Sequence, residues 1–474
     1  MSAKSWTQTF HEPFIYGALA IALTAGFGYG ALIVGSVALG VIPGAWWGAV
    51  VQAHGHAQLF GWLGLFVLGM GLYFLPRLHG ATLQETARLP YVLGLMSGGI
   101  ALRVIAQPWL GFRGASDAFP LLQFAWALSA VLEVAGMLVL FSMLRATERV
   151  EKPVTAGSPA YASERFVRIA FGSLGVALLF NALGVWNAVA QERTTLAPYY
   201  DNLVITLILY GAAIPMAIVF SIRNLPLFLR LALPPRDSLR RLGVWYAASL
   251  LWILAPWLLA IADDLLMAFH RSLLANDLLA SLLNLLQVVG TLALNLAILV
   301  FVWQLDLLRR RAPWVVNRAP NTRPDLDYLR KPTRENYPDA GEYGRFELLI
   351  YSAYGWLVVA VILNIGRVFG DATGWVSISA DAARHALTVG FITLLIFGMA
   401  ARMVPGFSHK KGVAYPRLVT VTFALGNVAA FLRVVPTLFP SWELALPLLG
   451  LSGAFGWLAV AVLAVNLHAT FRRA

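Results

Sequence analysis

The stretch QAHGHAQLFGWLGLFVLGMGLYFLPRLHG, from Gln52 to Gly80, decides the fold. After His56 it runs for about twenty residues without a formal charge, which is enough to cross the hydrocarbon core of a bilayer as a helix. The same stretch carries His54, His56 and His79, three of the eight histidines in the chain. A polar ring at membrane depth needs a hydrogen-bonding partner, a role in proton transfer or a metal to bind. These histidines are therefore the first candidates for function.

The composition predicts an all-α polytopic membrane protein. Of the 474 residues, 59% are hydrophobic and 12% charged, and a water-soluble domain cannot bury so large an apolar fraction. The absence of cysteine excludes disulfides, thiolate metal sites and iron–sulfur clusters. The net charge of +12 sits in loops between apolar runs, so membrane lipid is the expected surrounding and nucleic-acid binding is rejected.

Runs of apolar residues predict twelve transmembrane helices. Their approximate bounds are 14–38, 50–76, 90–110, 119–144, 166–190, 202–222, 242–262, 279–306, 347–369, 380–404, 417–437 and 445–468. The chain is therefore predicted to form one membrane domain over residues 1–474. The segment 307–346 is rich in proline and arginine, and we interpret it as a cytoplasmic linker loop.

The basic residues predict the orientation. Of the 35 lysines and arginines, 28 lie at the two ends of the chain or beside the loops that follow even-numbered helices. Because positive residues are retained on the cytoplasmic side, both termini are predicted to be cytoplasmic. The expected location is a bacterial inner membrane.

An internal repeat relates the two ends of the chain. A shift of 329 residues carries His56 onto His385 and Gly61 onto Gly390, and it also superposes Pro76 on Pro405. With one residue of slippage, the tripeptide LRV that contains Arg103 meets the LRV that contains Arg433. The repeat predicts related four-helix units over about 14–144 and 347–468, with a weaker third copy over 166–306 that has Thr206 at the histidine position.

The repeated histidines are candidate haem ligands. His56 and His385 each follow a tryptophan by ten residues, which places both imidazoles roughly 15 Å below the outer interface. Two such imidazoles can supply both axial ligands of a haem iron. The alternative is a purely structural role, in which each histidine forms hydrogen bonds between helices. Arg103 and Arg433 lie in the same half of the membrane, where guanidinium groups can bind haem propionates.

Other polar residues leave alternatives open. His54 is about 200° around a regular helix from His56, and it can bond a loop, bind copper or replace His56 as the axial ligand. His79 and His409 lie at the cytoplasmic ends of their helices, either as interfacial residues or as a second metal site. Glu133 can handle protons or pair with Arg103.

Three segments resemble a known family. HGHAQLFGW (His54–Trp62) and HALTVG (His385–Gly390), with GFSH (Gly406–His409) closing the tenth helix, resemble the signature segments of the NnrS family. That resemblance implies a twelve-span membrane protein associated with haem and copper and with bacterial responses to nitric oxide. It implies His54, His56, His385 and His409 as metal-binding positions, with haem b as the expected cofactor. The chain departs from the family pattern at HAQ (His56–Gln58) and at HKKG (His409–Gly412).

The architecture also resembles the large subunit of haem-copper oxidases. That resemblance implies three four-helix arcs (helices 1–4, 5–8 and 9–12) and a low-spin haem held from helices 2 and 10. The second catalytic metal of that superfamily needs histidines on helices 6 and 7, and both predicted helices lack them. A standard oxygen-reducing centre is therefore not expected.

Three functions follow from these observations. The first is a haem-binding protein, with copper as a second candidate metal, that responds to nitric oxide or confers resistance to it, with nitric oxide as a ligand and a quinol or another electron donor as a partner. The second is a transporter or a permease that handles metal or haem, because internal repeats are common in transporters. The third is an enzyme, a quinol-linked reductase of nitric oxide.

Overall fold

The computed structural model describes residues 9–113, 118–229, 233–267, 277–308, 340–375 and 377–473. Within these residues the chain forms twelve helices long and apolar enough to span a membrane, which confirms the predicted all-α polytopic fold. Most of the predicted linker 307–346 lies outside the described residues. In chain order, α1 to α12 are His11–Ala38, Trp46–Leu78, Thr86–Phe112, Phe119–Glu148, Glu164–Ala190, Pro198–Leu229, Arg236–Leu266, Leu278–Leu305, Phe346–Asp371, Ala380–Phe407, Pro416–Leu438 and Ala445–Arg472.

Local chemistry sets several helix ends. Pro198 and Pro416 open α6 and α11, where the missing backbone donor costs nothing. The hydroxyl of Ser379 accepts the backbone N–H of Asp381 at 3.1 Å and so caps the start of α10. Gly374, at φ +72°, ends α9 in the left-handed conformation that glycine adopts without strain.

Three helices form the centre of the bundle. In their most apolar windows, 78% of the α2 residues, 72% of the α6 residues and 83% of the α10 residues are buried. The corresponding fractions for α7 and α12 are only 33% and 28%, so these two helices face the lipid. A helix that is apolar on all sides packs in the interior, and the near-continuous apolar runs of α2, α6 and α10 meet that condition.

Each central helix contains a π-helical segment. The segments are Ala57–Leu65 in α2, Leu207–Ala213 in α6 and Ala386–Thr393 in α10. They begin immediately after His56, Thr206 and His385, the three positions that the sequence repeat aligns. π-Helical turns widen the helix and are frequent at functional sites. The repeat therefore preserves a backbone distortion as well as residue identities.

Equivalent glycines make equivalent close contacts. A Cβ added to Gly61 would meet Ile21 of α1, and a Cβ added to Gly390 would meet Trp356 of α9. The shift that aligns IYGA in α1 with IYSA in α9 also carries Ile21 onto Trp356. The grouping of the helices into three four-helix units stays a prediction, while this pair of contacts shows that α1 packs on α2 as α9 packs on α10.

Candidate cofactor cavity

A cavity of about 400 Å³ lies against the central helices α2, α6 and α10 and also reaches α1, α11 and α12. Five of the seven residues predicted to bind a cofactor or metal line it: His54, His56, His385, Arg103 and Arg433. These five residues lie on four different helices, and the fold brings their side chains to the wall of one cavity.

His56 is bonded to an acidic residue of α4. Its Nε2 lies 2.8 Å from Oε1 of Glu133, and both side chains are buried. The other carboxylate oxygen of Glu133, Oε2, is buried and has no hydrogen-bond partner among the described residues. The sequence also allowed Glu133 to pair with Arg103, but in the structure Glu133 bonds His56. The ring nitrogen that most often binds iron is therefore occupied in His56.

His54 points to α1 instead. Its Nδ1 lies 2.8 Å from the backbone oxygen of Gly26, and the ring packs on the backbone of Gly30. A Cβ at Gly30 would come within 2.9 Å of Cε1 of His54, so glycine is needed for the ring to sit there. With Nδ1 donating to the Gly26 carbonyl, Nε2 of His54 remains for another partner.

His385 is held in a similar way by its own helix. Its Nδ1 lies 3.0 Å from the backbone oxygen of Asp381 and 3.0 Å from Oδ1 of the same residue. The Asp381 carboxylate also receives both guanidinium nitrogens of Arg433, at 2.9 and 3.2 Å. This bidentate pair neutralises the charge of Arg433 inside the bundle and fixes the tautomer of His385, whose Nε2 is left for a ligand.

Arg103 is anchored by carboxamides. Its Nε donates to Gln107 at 3.1 Å and its Nη1 donates to Asn181 of α5 at 2.5 Å. Gln107 in turn donates to Gln52 at 3.0 Å, one helical half-turn before His54. Arg103 is only 2% exposed, and this network fixes its position in the cavity wall. Among the described residues, no carboxylate bonds it directly.

His79 and His409 lie elsewhere. Nδ1 of His79 is 2.9 Å from Oε2 of Glu151, and His409 follows the end of α10 with a left-handed φ of +57°. Neither lines the cavity. Within the described ranges, no three histidine, aspartate or glutamate side chains converge to hold a metal ion. Copper binding by His54 or His409, and a second metal site at His79 and His409, stay predictions.

The sequence analysis missed several polar residues of this cavity. Asp381, Arg384 and Gln52 all line it. The spacing of Asp381 and His385, four residues apart at the start of a helix, signals that the two can contact. Gln52 stands two residues before His54 and gives no comparable signal, because its partners Gln107 and Leu196 lie far along the chain.

The residues present fit a haem. The cavity volume is in the range of small-ligand and cofactor sites. His54 and His385 each present an imidazole whose Nδ1 is held by a backbone carbonyl, which is the arrangement typical of metal-ligating histidines. Arg103 and Arg384 add guanidinium groups suited to the carboxylates of haem, while Arg433 is paired with Asp381.

Comparison with known families supports the resemblance seen in the sequence. The model of the family described as NnrS protein matches residues 344–472. This segment covers α9 to α12 and includes His385, His409 and Arg433. The predicted resemblance to NnrS is thereby confirmed over the last four helices. No curated protein matches the sequence at a significant level.

Comparison with solved structures supports the predicted architecture. A haem-copper terminal oxidase, described by cryo-electron microscopy as a dimer, superposes with a TM-score of 0.67. The alignment covers 100% of this chain and 85% of the oxidase chain at 13% sequence identity. At that identity the match shows a shared fold, and the haem-copper-oxidase-like arrangement of the twelve helices is confirmed.

Proposed function

We propose that this chain, whose residues 344–472 match the NnrS family, is a haem-binding membrane protein of the NnrS type that acts in the response to nitric oxide. The observation that carries the proposal is the meeting of three imidazoles and three guanidinium groups at one cavity inside the membrane. Such groups are costly in a bilayer unless they are paired or serve a ligand, and pairing among the described residues accounts for only part of this set.

Hydrogen bonding distinguishes the three imidazoles. Position in the repeat favours His56 and His385 as the axial pair. The contacts favour His54 and His385, because no described residue bonds their Nε2 atoms, while Nε2 of His56 is bonded to Glu133. We therefore assign His54 and His385 as the residues that would hold the haem. His56 and Glu133 then form a neighbouring buried pair that stiffens α2 against α4.

Residues of this chain would orient the haem and neutralise its carboxylates. Asp381 and Gly26 fix the ring planes of His385 and His54 through the bonds to Nδ1. Arg103 and Arg384 offer guanidinium groups that no aspartate or glutamate bonds directly among the described residues. A bound haem would supply an iron centre able to carry electrons and to bind nitric oxide.

The membrane context follows from the fold. The hydroxyl of Tyr16, near the start of α1, bonds Nδ1 of His468, near the end of α12, at 3.0 Å, so α1 begins on the side where α12 ends. The distribution of basic residues supports the cytoplasmic side of an inner membrane for these helix ends. A quinol from the same bilayer is the electron donor most compatible with this location.

A spectrum of the purified protein tests the proposal. We expect one haem b per chain, with a reduced-minus-oxidised spectrum of the bis-histidine type, and a shift of the reduced spectrum on addition of nitric oxide. Metal analysis of the same sample measures iron and copper. Protein that is folded yet contains no haem, and takes none up from added haemin, would refute the proposal.

A further inference from the structure

A second cavity of about 590 Å³ lies between α6, α7, α8, α9 and α10. Its lining mixes carboxamides and hydroxyls with apolar side chains and the indole of Trp257. It adjoins the first cavity, because Ile205, Leu209 and Arg384 line both. Apart from Arg384 on the shared wall, its polar lining residues have no role in the haem site described above.

Part of the polar lining is satisfied within the protein. Asn364 donates to the hydroxyl of Tyr210 at 3.4 Å, and Arg367 is paired with Asp371 at 3.0 Å, as the sequence suggested for a charge near the end of α9. These four side chains form a network along α9 and α6. They therefore give the cavity a polar wall without a free charge.

Three carboxamides of the lining are not satisfied. Asn202, Asn284 and Gln287 make no side-chain hydrogen bond to the described part of the chain. Gln287 lies nine residues into α8, about 14 Å along the helix axis, at a depth where a polar group without a partner is expensive. The usual explanation for a membrane carboxamide, a bond to a neighbouring helix, does not apply here.

The cavity reaches the lipid boundary beside α8. Asn284 is exposed, and the leucines at positions 282 and 285 on the same helix are 50% and 58% exposed. A ligand dissolved in the bilayer can enter on this side. The opening argues for a membrane-soluble molecule, since the exposed leucines would face acyl chains.

The lining also defines the chemistry of the occupant. Carboxamide N–H groups offer donors, and Trp257 offers an aromatic surface for a planar ring. Arg367 is paired with Asp371, and Arg384 sits on the wall shared with the first cavity, where it is assigned to the haem site. A neutral ring with acceptor oxygens fits this set better than an anion does.

We propose that this second cavity binds the headgroup of a membrane quinone, with Asn284 and Gln287 donating to its oxygens. The inference extends the proposed function by giving the electron donor a binding site next to the haem cavity. It requires no haem for its own test, because the lining residues of α8 do not line the first cavity.

Equilibrium dialysis of detergent-purified protein against decylubiquinone tests the site. We expect saturable binding by the wild type, and affinity lowered by about tenfold or more in the Asn284→Leu/Gln287→Leu variant. Gln287→Glu should weaken binding too, because a carboxylate lacks the N–H donors. Gln123→Leu removes a carboxamide of α4 outside both cavities and should leave the affinity unchanged.

Two results would overturn the assignment. One is equal affinity in the wild type and in monodisperse Asn284→Leu/Gln287→Leu protein. The other is displacement of decylubiquinone by inorganic phosphate, which would identify an anion site. Haem content measured on the same samples, and dialysis of His385→Ala protein, separate this inference from the proposed function: quinone binding that persists without haem supports the second cavity on its own.

Discussion

Nδ1 of His54 and the backbone oxygen of Gly26 lie 2.8 Å apart, and this contact depends on a distortion in α1. Gly26 is the last residue of the π-helical segment Ala22–Gly26, and its ψ of −99° leaves the helical region. The departure from helical geometry makes the carbonyl available to a side chain of α2. An irregular turn in one helix thus orients an imidazole of another.

Gly30 is predicted to be required for the orientation of His54. In Gly30→Ala protein the new methyl would meet Cε1 of His54, so the ring must move, and haem affinity should fall by about tenfold. Gly35→Ala is the matched control, because a Cβ at Gly35 of the same helix meets nothing within 4 Å. The haem-to-protein ratio after purification measures both, and equal ratios would argue against a ligand role for His54.

Removal of Glu133 is predicted to destabilise the fold. Glu133→Ala leaves the buried imidazole of His56 without its acceptor, at a cost of about 1–3 kcal/mol. Glu133→Gln keeps an oxygen that can accept the His56 N–H, so its loss should be smaller. Thermal unfolding followed by circular dichroism measures the difference, and equal unfolding temperatures for the two variants would show that the bond contributes nothing.

The pair of Arg433 and Asp381 is predicted to support His385. Arg433→Lys loses the two-pronged contact that holds the Asp381 carboxylate, because an ammonium group cannot reproduce the fork. Haem retention should fall by roughly 10- to 100-fold, the usual effect of losing a partner behind a metal-bound histidine. Arg367→Lys breaks a pair that does not line the haem cavity and should retain haem. The same loss in both variants would contradict the assignment.

Close packing of α1 on α2 is predicted to make Gly61 intolerant of a side chain. Gly61→Ala would drive a methyl into Ile21 and destabilise the bundle by about 1–3 kcal/mol. Gly94→Ala in α3 meets nothing within 4 Å and should stabilise its helix by about 0.5–1 kcal/mol. Opposite shifts in the unfolding temperature are expected, and a neutral Gly61→Ala variant would refute the packing argument.

Hydropathy alone predicted the twelve helices, since each is a run of apolar residues bounded by charges or turn residues. The repeat predicted which histidines and arginines share a cavity, because equivalent positions in related units reach equivalent places. The repeat could not predict which hydrogen-bond partner each histidine ring nitrogen would have. The bond from His56 to Glu133 joins residues 77 positions apart, and the bond from His54 to Gly26 depends on a π-helical turn that has no simple sequence signature. Polar pairing across helices is decided by packing, which local patterns do not encode.

Haem retention in three single variants tests the central claim most directly. His54→Ala, His56→Ala and His385→Ala are purified in parallel, and the haem-to-protein ratio and reduced-minus-oxidised spectrum are recorded for each. If His54 and His385 hold the iron, their variants lose the bis-histidine spectrum while His56→Ala retains haem. A His56→Ala protein without haem beside a fully loaded His54→Ala protein would contradict the assignment, and unchanged haem in all three variants would exclude this cavity as the haem site.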